Sequence, residues 1–287
     1  WHVTGSGGLA LVAALGAEVK NEGRVKVGDL VAVFSGQSQL LSPIAGHDPM
    51  FADQVIQGYQ TPDGSHQQFM IAQSPQLHTK LGDLTLEGAG SYILNLGTVY
   101  RALFTTLKIE PGKTLFVEGA ATGTGLDAVT SAARNRVAVT GLVSSADRES
   151  VVLAAGGVGA INRKDREFEH IFTRVPESPE QWAIWEKQGE KFLAKFKDFN
   201  GGRLADYSVS HAGETAFPRS FQLLEKNGTL TFYGASSGYH FTFMGKPGAE
   251  KPQTMLDRAC FTAGESVLIY YGAANGSALD TTGIECI

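Results

Sequence analysis

The sequence predicts an α/β protein: a β-rich first part, an open doubly wound parallel sheet, then the start of a second unit of that kind. Three observations predict it. The texture changes at Leu84, from glycine-rich stretches with short apolar runs to apolar residues at helical spacing. After Pro111, strand-like runs alternate with helical patterns, and strands separated by helices pair in parallel through right-handed crossovers. Finally, PGKTLFVEGAATGTGLDAV (Pro111–Val129) is echoed by AGESVLIYYGAANGSALDT (Ala263–Thr281), with Gly112, Gly119, Gly123 and Asp127 opposite Gly264, Gly272, Gly276 and Asp280.

In the first part, GDLVAVFSG (Gly28–Gly36) has the β-branched content of a strand bounded by turn residues, and GSHQQFMIA (Gly64–Ala72) alternates like another. The stretch from Leu84 to Leu107 predicts a helix, with Thr85 near its start. Then come a strand at Thr114–Ala120, a helix at Thr124–Asn135, a strand at Arg136–Ser145 and a helix at Asp147–Ala155. A short strand and its exit follow at Gly159–Asp165, and a charged, aromatic amphipathic helix at Ser178–Phe199. Leu204–Ala212 predicts a strand, Thr215–Leu224 a helix with proline in its first turn, and Gly228–Ser236 a strand. The expected division is 1–83, 84–260 and 261–287.

Composition narrows the function classes. The 287 residues are 43% hydrophobic and 18% charged, long enough for one large or two ordinary cores. The net charge is −5 with no dense basic cluster, so nucleic acid is not an expected partner. No apolar run approaches the roughly 18 residues a membrane helix needs. Cys260 and Cys286 cannot form a four-cysteine metal site or a disulfide framework, and a reducing cytoplasm is the expected compartment. The chain opens at Trp1 without methionine and stops at Ile287 inside an apolar helical pattern, so a piece of something longer is expected.

The glycine turn carries the chemistry. In a dinucleotide-binding strand-to-helix turn, one glycine makes the bend and another lets the backbone approach the pyrophosphate. The helix start then offers N–H groups to the anion. Here Gly119 ends the strand, Gly123 and Gly125 flank Thr124, and Thr122 stands where a glycine is usual. The strict G-x-G-x-x-G pattern is absent, and an ordinary tight turn is the alternative reading. The next strand ends in Ser144 and Ser145, followed by Arg148, with Asp147 displaced outward. An acidic residue at that tip would select NAD, whereas hydroxyls and a guanidinium suit the 2′-phosphate of NADP. The alternative is that the serines cap the next helix and Arg148 is merely solvated.

Four stretches carry a family resemblance: HVTGSGGLALVAALG, GHDPMFADQVIQGYQTPDGSHQQF, LTLEGAGSYILNLGTVYRALF and GAINRKD. They resemble the zinc-independent medium-chain dehydrogenase/reductases that act on enoyl-CoA thioesters. These include crotonyl-CoA carboxylase/reductases and the acrylyl-CoA reductase domain of propionyl-CoA synthase. The resemblance implies a GroES-like catalytic domain, N-terminally incomplete here, beside a Rossmann NADP-binding domain, with the nicotinamide in the cleft between them. It implies hydride transfer from NADPH to the β-carbon of a 2-enoyl-CoA and protonation of the α-carbon. By the same resemblance, Thr98 and Tyr100 fall on the helix facing the nicotinamide, and Gly234, Ala235 and Ser236 on the turn beneath its carboxamide. His211 falls on the cofactor cleft. A core role for Tyr100 and a structural one for His211 stay open.

Two departures matter. Zinc-dependent relatives use cysteine, histidine and glutamate ligands with a four-cysteine lobe, so no metal is expected here. Carboxylating relatives carry two consecutive glutamates where this chain has Glu87–Gly88, and a downstream histidine for which only His240 is available. The expected function is therefore NADPH-dependent reduction of a short 2-enoyl-CoA such as acrylyl- or crotonyl-CoA, without carboxylation. The expected partners are the enoyl-CoA and other domains of a larger enzyme, with a homo-oligomer left open. No catalytic acid can be named. A quinone oxidoreductase and a catalytically silent nucleotide-binding or assembly domain are the competing readings.

Overall fold

The computed structural model describes residues 1–43, 54–80, 82–176, 178–234 and 236–238, and the backbone of 261–263 and 267–269. The chain forms two compact units, Trp1–Gly97 and Thr98–Ile287.

The first unit contains β1 (Gly8–Leu11), α1 (Ala17–Glu22), β2 (Leu30–Val33), β3 (Gly36–Gln37), β4 (Val55–Ile56) and β5 (Leu77–Thr79). Helix α2 (Leu86–Tyr100) starts here and runs across the division. Strands β1, β2 and β5 make an antiparallel sheet in that order, and β3 pairs with β4. Val12, Val25, Val31 and Val33 form its small core. The expected strand at Gly64–Ala72 does not form. Gly64, Ser65 and His66 donate instead to the carbonyls of Val3, Gly5 and Thr4, and Gln67 N–H turns back to the Ser65 carbonyl. A Cβ at Gly64 would stand 2.4 Å from the Thr4 carbonyl oxygen, so this close backbone approach replaces the alternating ladder.

In the second unit, α2 passes into a π-helical stretch, Arg101–Thr106. Then follow β6 (Thr114–Val117), α3 (Gly123–Arg134), β7 (Ala138–Val143), α4 (Asp147–Ala154), β8 (Gly159–Asn162) and α5 (Pro179–Phe199). The series closes with β9 (Ala205–Ser210), α6 (Phe217–Gln222), β10 (Leu224–Phe232), β11 (Phe261–Ala263) and β12 (Val267–Ile269). One seven-stranded sheet runs β12-β11-β10-β9-β6-β7-β8, parallel from β11 to β8. Successive strand residues face opposite sides, and both sides are covered. Leu115 and Val117 of β6 pack with Val129 of α3 and Val152 of α4, while Phe116 between them meets Phe192 and Phe196 of α5. This is the doubly wound fold the alternation predicts.

The C-terminal strand behaves differently from the sequence reading. Val267–Ile269 lies antiparallel to β11 at the edge of the same sheet, and β11 occupies the position next to β10. The glycine turn Gly272–Gly276, Asp280, His240 and both cysteines lie outside the described residues. No helix of the described residues is long and apolar enough to cross a membrane.

Candidate functional site

The strand order reverses at β6, whose neighbours are β7 and β9. Successive units run from β6 to one edge and from β9 to the other, and such a switch point opens a crevice at the carboxyl ends of the strands. A cavity of about 370 Å³ lies there.

The glycine turn forms one wall. Thr122 is the N-cap of α3: its hydroxyl donates to the Gly119 carbonyl at 2.8 Å and accepts from the Gly125 N–H at 3.2 Å. Because Thr122 also lines the cavity, the N-terminus of α3 opens on it. Gly119 has φ +57, the left-handed region where a side chain is strained. A Cβ at Gly125 would stand 2.1 Å from the Gly119 carbonyl oxygen, so Gly125 is the glycine that lets α3 close onto β6.

A second wall is basic. Arg148 lines the cavity from the first turn of α4, beside Ser144 at the β7 tip. Arg163 lines it from the exit of β8. The N–H of Arg163 donates to the Val143 carbonyl at 2.9 Å, which brings this exit beside the β7 tip. Asn162 closes the turn below, donating to Asp165 at 2.9 Å and accepting from the Lys164 N–H. Asp147 is turned to local use: the Ser145 hydroxyl, its own backbone N–H and Arg148 hold its carboxyl below the usual range.

The third wall comes from the turns after β9 and β10. His211, Ala212, Thr215 and Ala216 line it, with Ser236 and Ser237. The two turns are joined: Ser237 N–H donates to the Ala212 carbonyl at 2.6 Å and Thr215 hydroxyl to Ser237 Oγ at 3.0 Å. His211 stacks on Tyr233 with ring centroids 5.8 Å apart. Burial pushes the Tyr233 phenol well up, and the charges of Glu118 and Asp127 add to it.

Of the residues singled out in the sequence, Gly119, Thr122, Ser144, Arg148, His211 and Ser236 line this one cavity. Gly123, Thr124 and Gly125 belong to the first turn of α3, whereas Ser145, Thr98 and Gly234 are not lining residues. Thr98 sits on α2, and Tyr100 beside it is exposed with its ring 5.2 Å from that of Phe104. Ala235 lies outside the described residues. Sequence reading passed over Glu118, Arg163, Thr215 and Ser237. Arg163 was legible in principle, because the exit of the third strand must lie next to the tip of the second.

No family model matches the chain. The crotonyl-CoA carboxylase/reductase of Cereibacter sphaeroides is 36% identical over 251 residues, 85% of this chain and 56% of that protein. A crotonyl-CoA carboxylase/reductase structure, AntE in complex with NADP, matches with TM-score 0.77 at 26% identity, over 83% of this chain and 59% of that one. The 2-octenoyl-CoA carboxylase reductase CinF, in complex with NADP and 2-octenoyl-CoA, gives TM-score 0.73 at 28% identity, over 84% and 53% respectively. The chain thus spans about half the length of the curated relatives it matches. In sequence and in fold, this chain is a crotonyl-CoA carboxylase/reductase-like medium-chain dehydrogenase/reductase.

Proposed function

We propose that this chain binds NADPH and reduces a short-chain 2-enoyl-CoA to the saturated acyl-CoA, without carboxylation, as the reductase part of a larger enzyme. The observation that carries the reading is the cavity itself. At the switch point of a doubly wound sheet, a glycine turn with a helix N-terminus stands on one side and two guanidinium groups on the other. The relatives bound to NADP and to an enoyl-CoA support the same choice.

The donor set fits the cofactor. Arg148, Arg163 and the Ser144 hydroxyl would hold a dianionic 2′-phosphate through charge-assisted bonds. Thr122, Gly123 and Thr124 at the start of α3 would receive the pyrophosphate, with Gly119 and Gly125 permitting the approach. Gly234, Ala235 and Ser236, together with Thr98, would meet the nicotinamide end. Bound there, NADPH supplies the hydride that adds to the β-carbon of the enoyl thioester, and the α-carbon then takes a proton. In this reading residues 84–260 are the NADP-binding domain and 1–83 the catalytic domain. The absence of carboxylation rests on Glu87–Gly88, since glycine offers no group to hold carbon dioxide in line with the α-carbon.

Titration of the full chain with NADPH and NADH tests the cofactor assignment. NADPH should bind much more tightly. Arg148→Ala and Arg163→Ala should each cost about 1.5–3 kcal/mol toward NADPH and little toward NADH. Equal affinities for the two cofactors contradict it.

A further inference from the structure

The residue just before the glycine turn is a buried carboxylate. Glu118 is 1% exposed at the end of β6 and stands at the cavity wall. Its Oε2 accepts from the backbone N–H groups of His211 at 3.2 Å and Ala212 at 3.1 Å. Its Oε1 accepts from the hydroxyl of Ser220 in α6. All three donors are uncharged, and all three belong to the segment that runs from the β9 tip through α6. A carboxylate withdrawn from water is retained only where such donors satisfy it.

The neighbouring residue completes the arrangement. A Cβ at Gly119 would stand 1.8 Å from His211 Nε2, so the imidazole packs into the hollow that this glycine leaves. Two consecutive residues at the exit of β6 therefore seat the opposite wall, Glu118 through the backbone N–H groups of His211 and Ala212 and Gly119 through the His211 ring. The seat extends further, because Ala212 and Thr215 are bonded to Ser237 in the turn after β10. Holding 211 and 212 thus holds both turns of the third wall.

We propose that Glu118 is a positioning residue: it fixes the His211–Ala216 wall in the geometry that receives the dinucleotide. The inference rests on the NADPH reading for its functional consequence and on the hydrogen bonds alone for its structural one. The side-chain shape matters more than the charge. In Glu118→Gln the amide oxygen can still accept from both N–H groups while the amide NH₂ donates to Ser220 Oγ. Glu118→Ala leaves two backbone donors and a hydroxyl without their acceptor.

The test compares the wild-type full chain with Glu118→Ala, Glu118→Gln and the milder Ser220→Ala. NADPH affinity and hydrogen exchange at the 211 and 212 amides are read on the same preparations. Glu118→Ala should weaken NADPH about tenfold and lose protection at both amides, with Glu118→Gln restoring both to near wild type. Ser220→Ala should fall between and remain folded, so the proposal stays open to refutation even where Glu118→Ala does not fold. Should the wild type not bind NADPH, the cofactor reading fails on its own, and amide protection still decides whether Glu118 seats the wall. Unchanged protection in Glu118→Ala, or in Ser220→Ala where Glu118→Ala does not fold, overturns the proposal. So does a Glu118→Gln variant that behaves like the alanine one.

Discussion

Gly125 and Gly123 stand two residues apart in the first turn of α3, and the structure gives them different work. Gly125 lies against the Gly119 carbonyl, where an added Cβ would stand at 2.1 Å, and the contacting atom is backbone that cannot swing aside. Gly125→Ala should therefore lower the melting temperature and disturb the turn itself. Gly123→Val should leave the fold intact while blocking the pyrophosphate, so NADPH binding is lost without a comparable loss of stability. Thermal unfolding and cofactor titration on both variants separate the two roles. If Gly123→Val binds NADPH normally, the pyrophosphate lies elsewhere. Among single residues, the sequence exposes those whose chemistry is local, such as the turn glycines, Ser144 and Arg148. It hides Arg163 and Glu118, whose meaning comes from partners far along the chain, Val143 for the first and His211, Ala212 and Ser220, 93 to 102 positions away, for the second, brought near by strand order.

Side chains at the ends of elements add to the packing of their faces. The Thr122 hydroxyl caps α3, and Thr122→Ala should cost about 1 kcal/mol in unfolding free energy. At the opposite end of the sheet Asp206 joins β9 to β6. Burial pushes its carboxyl up, but the Thr114 N–H and hydroxyl together with the Lys113 ammonium outweigh that and hold it below the ordinary value. A carboxyl lowered by folding contributes stability above its unfolded pKa of about 3.9 and loses that contribution as the pH falls through the folded value. The wild type should therefore lose more denaturant resistance than Asp206→Asn between about pH 5 and about pH 3. Parallel losses in the two proteins would show that the junction carries no acid sensitivity. The strand and helix alternation after Pro111 was legible because short apolar runs such as Leu115, Phe116 and Val117 are separated by stretches with apolar residues at helical spacing. Gly64–Ala72 misled because alternation does not reveal that a glycine backbone will press on Thr4.

Taken whole, a chain of net charge −5 places two arginines at one cavity, at the point where its sheet changes direction. That placement concentrates positive potential where a dinucleotide phosphate would arrive, against the overall sign of the protein. Fold class and cavity position both follow from the order of strands and helices, which the sequence displays openly. The reaction's proton donor does not, because no pattern of spacing marks it. The chemistry proposed for the chain is NADPH-dependent reduction of an enoyl thioester that leaves uncarboxylated. The direct measurement is NADPH consumption by the full-length protein on addition of acrylyl- or crotonyl-CoA, with bicarbonate in excess and products identified by mass spectrometry. NADPH oxidation matched by formation of the saturated acyl-CoA is the expected result. No NADPH consumption, or the carboxylated thioester as the main product, would contradict it.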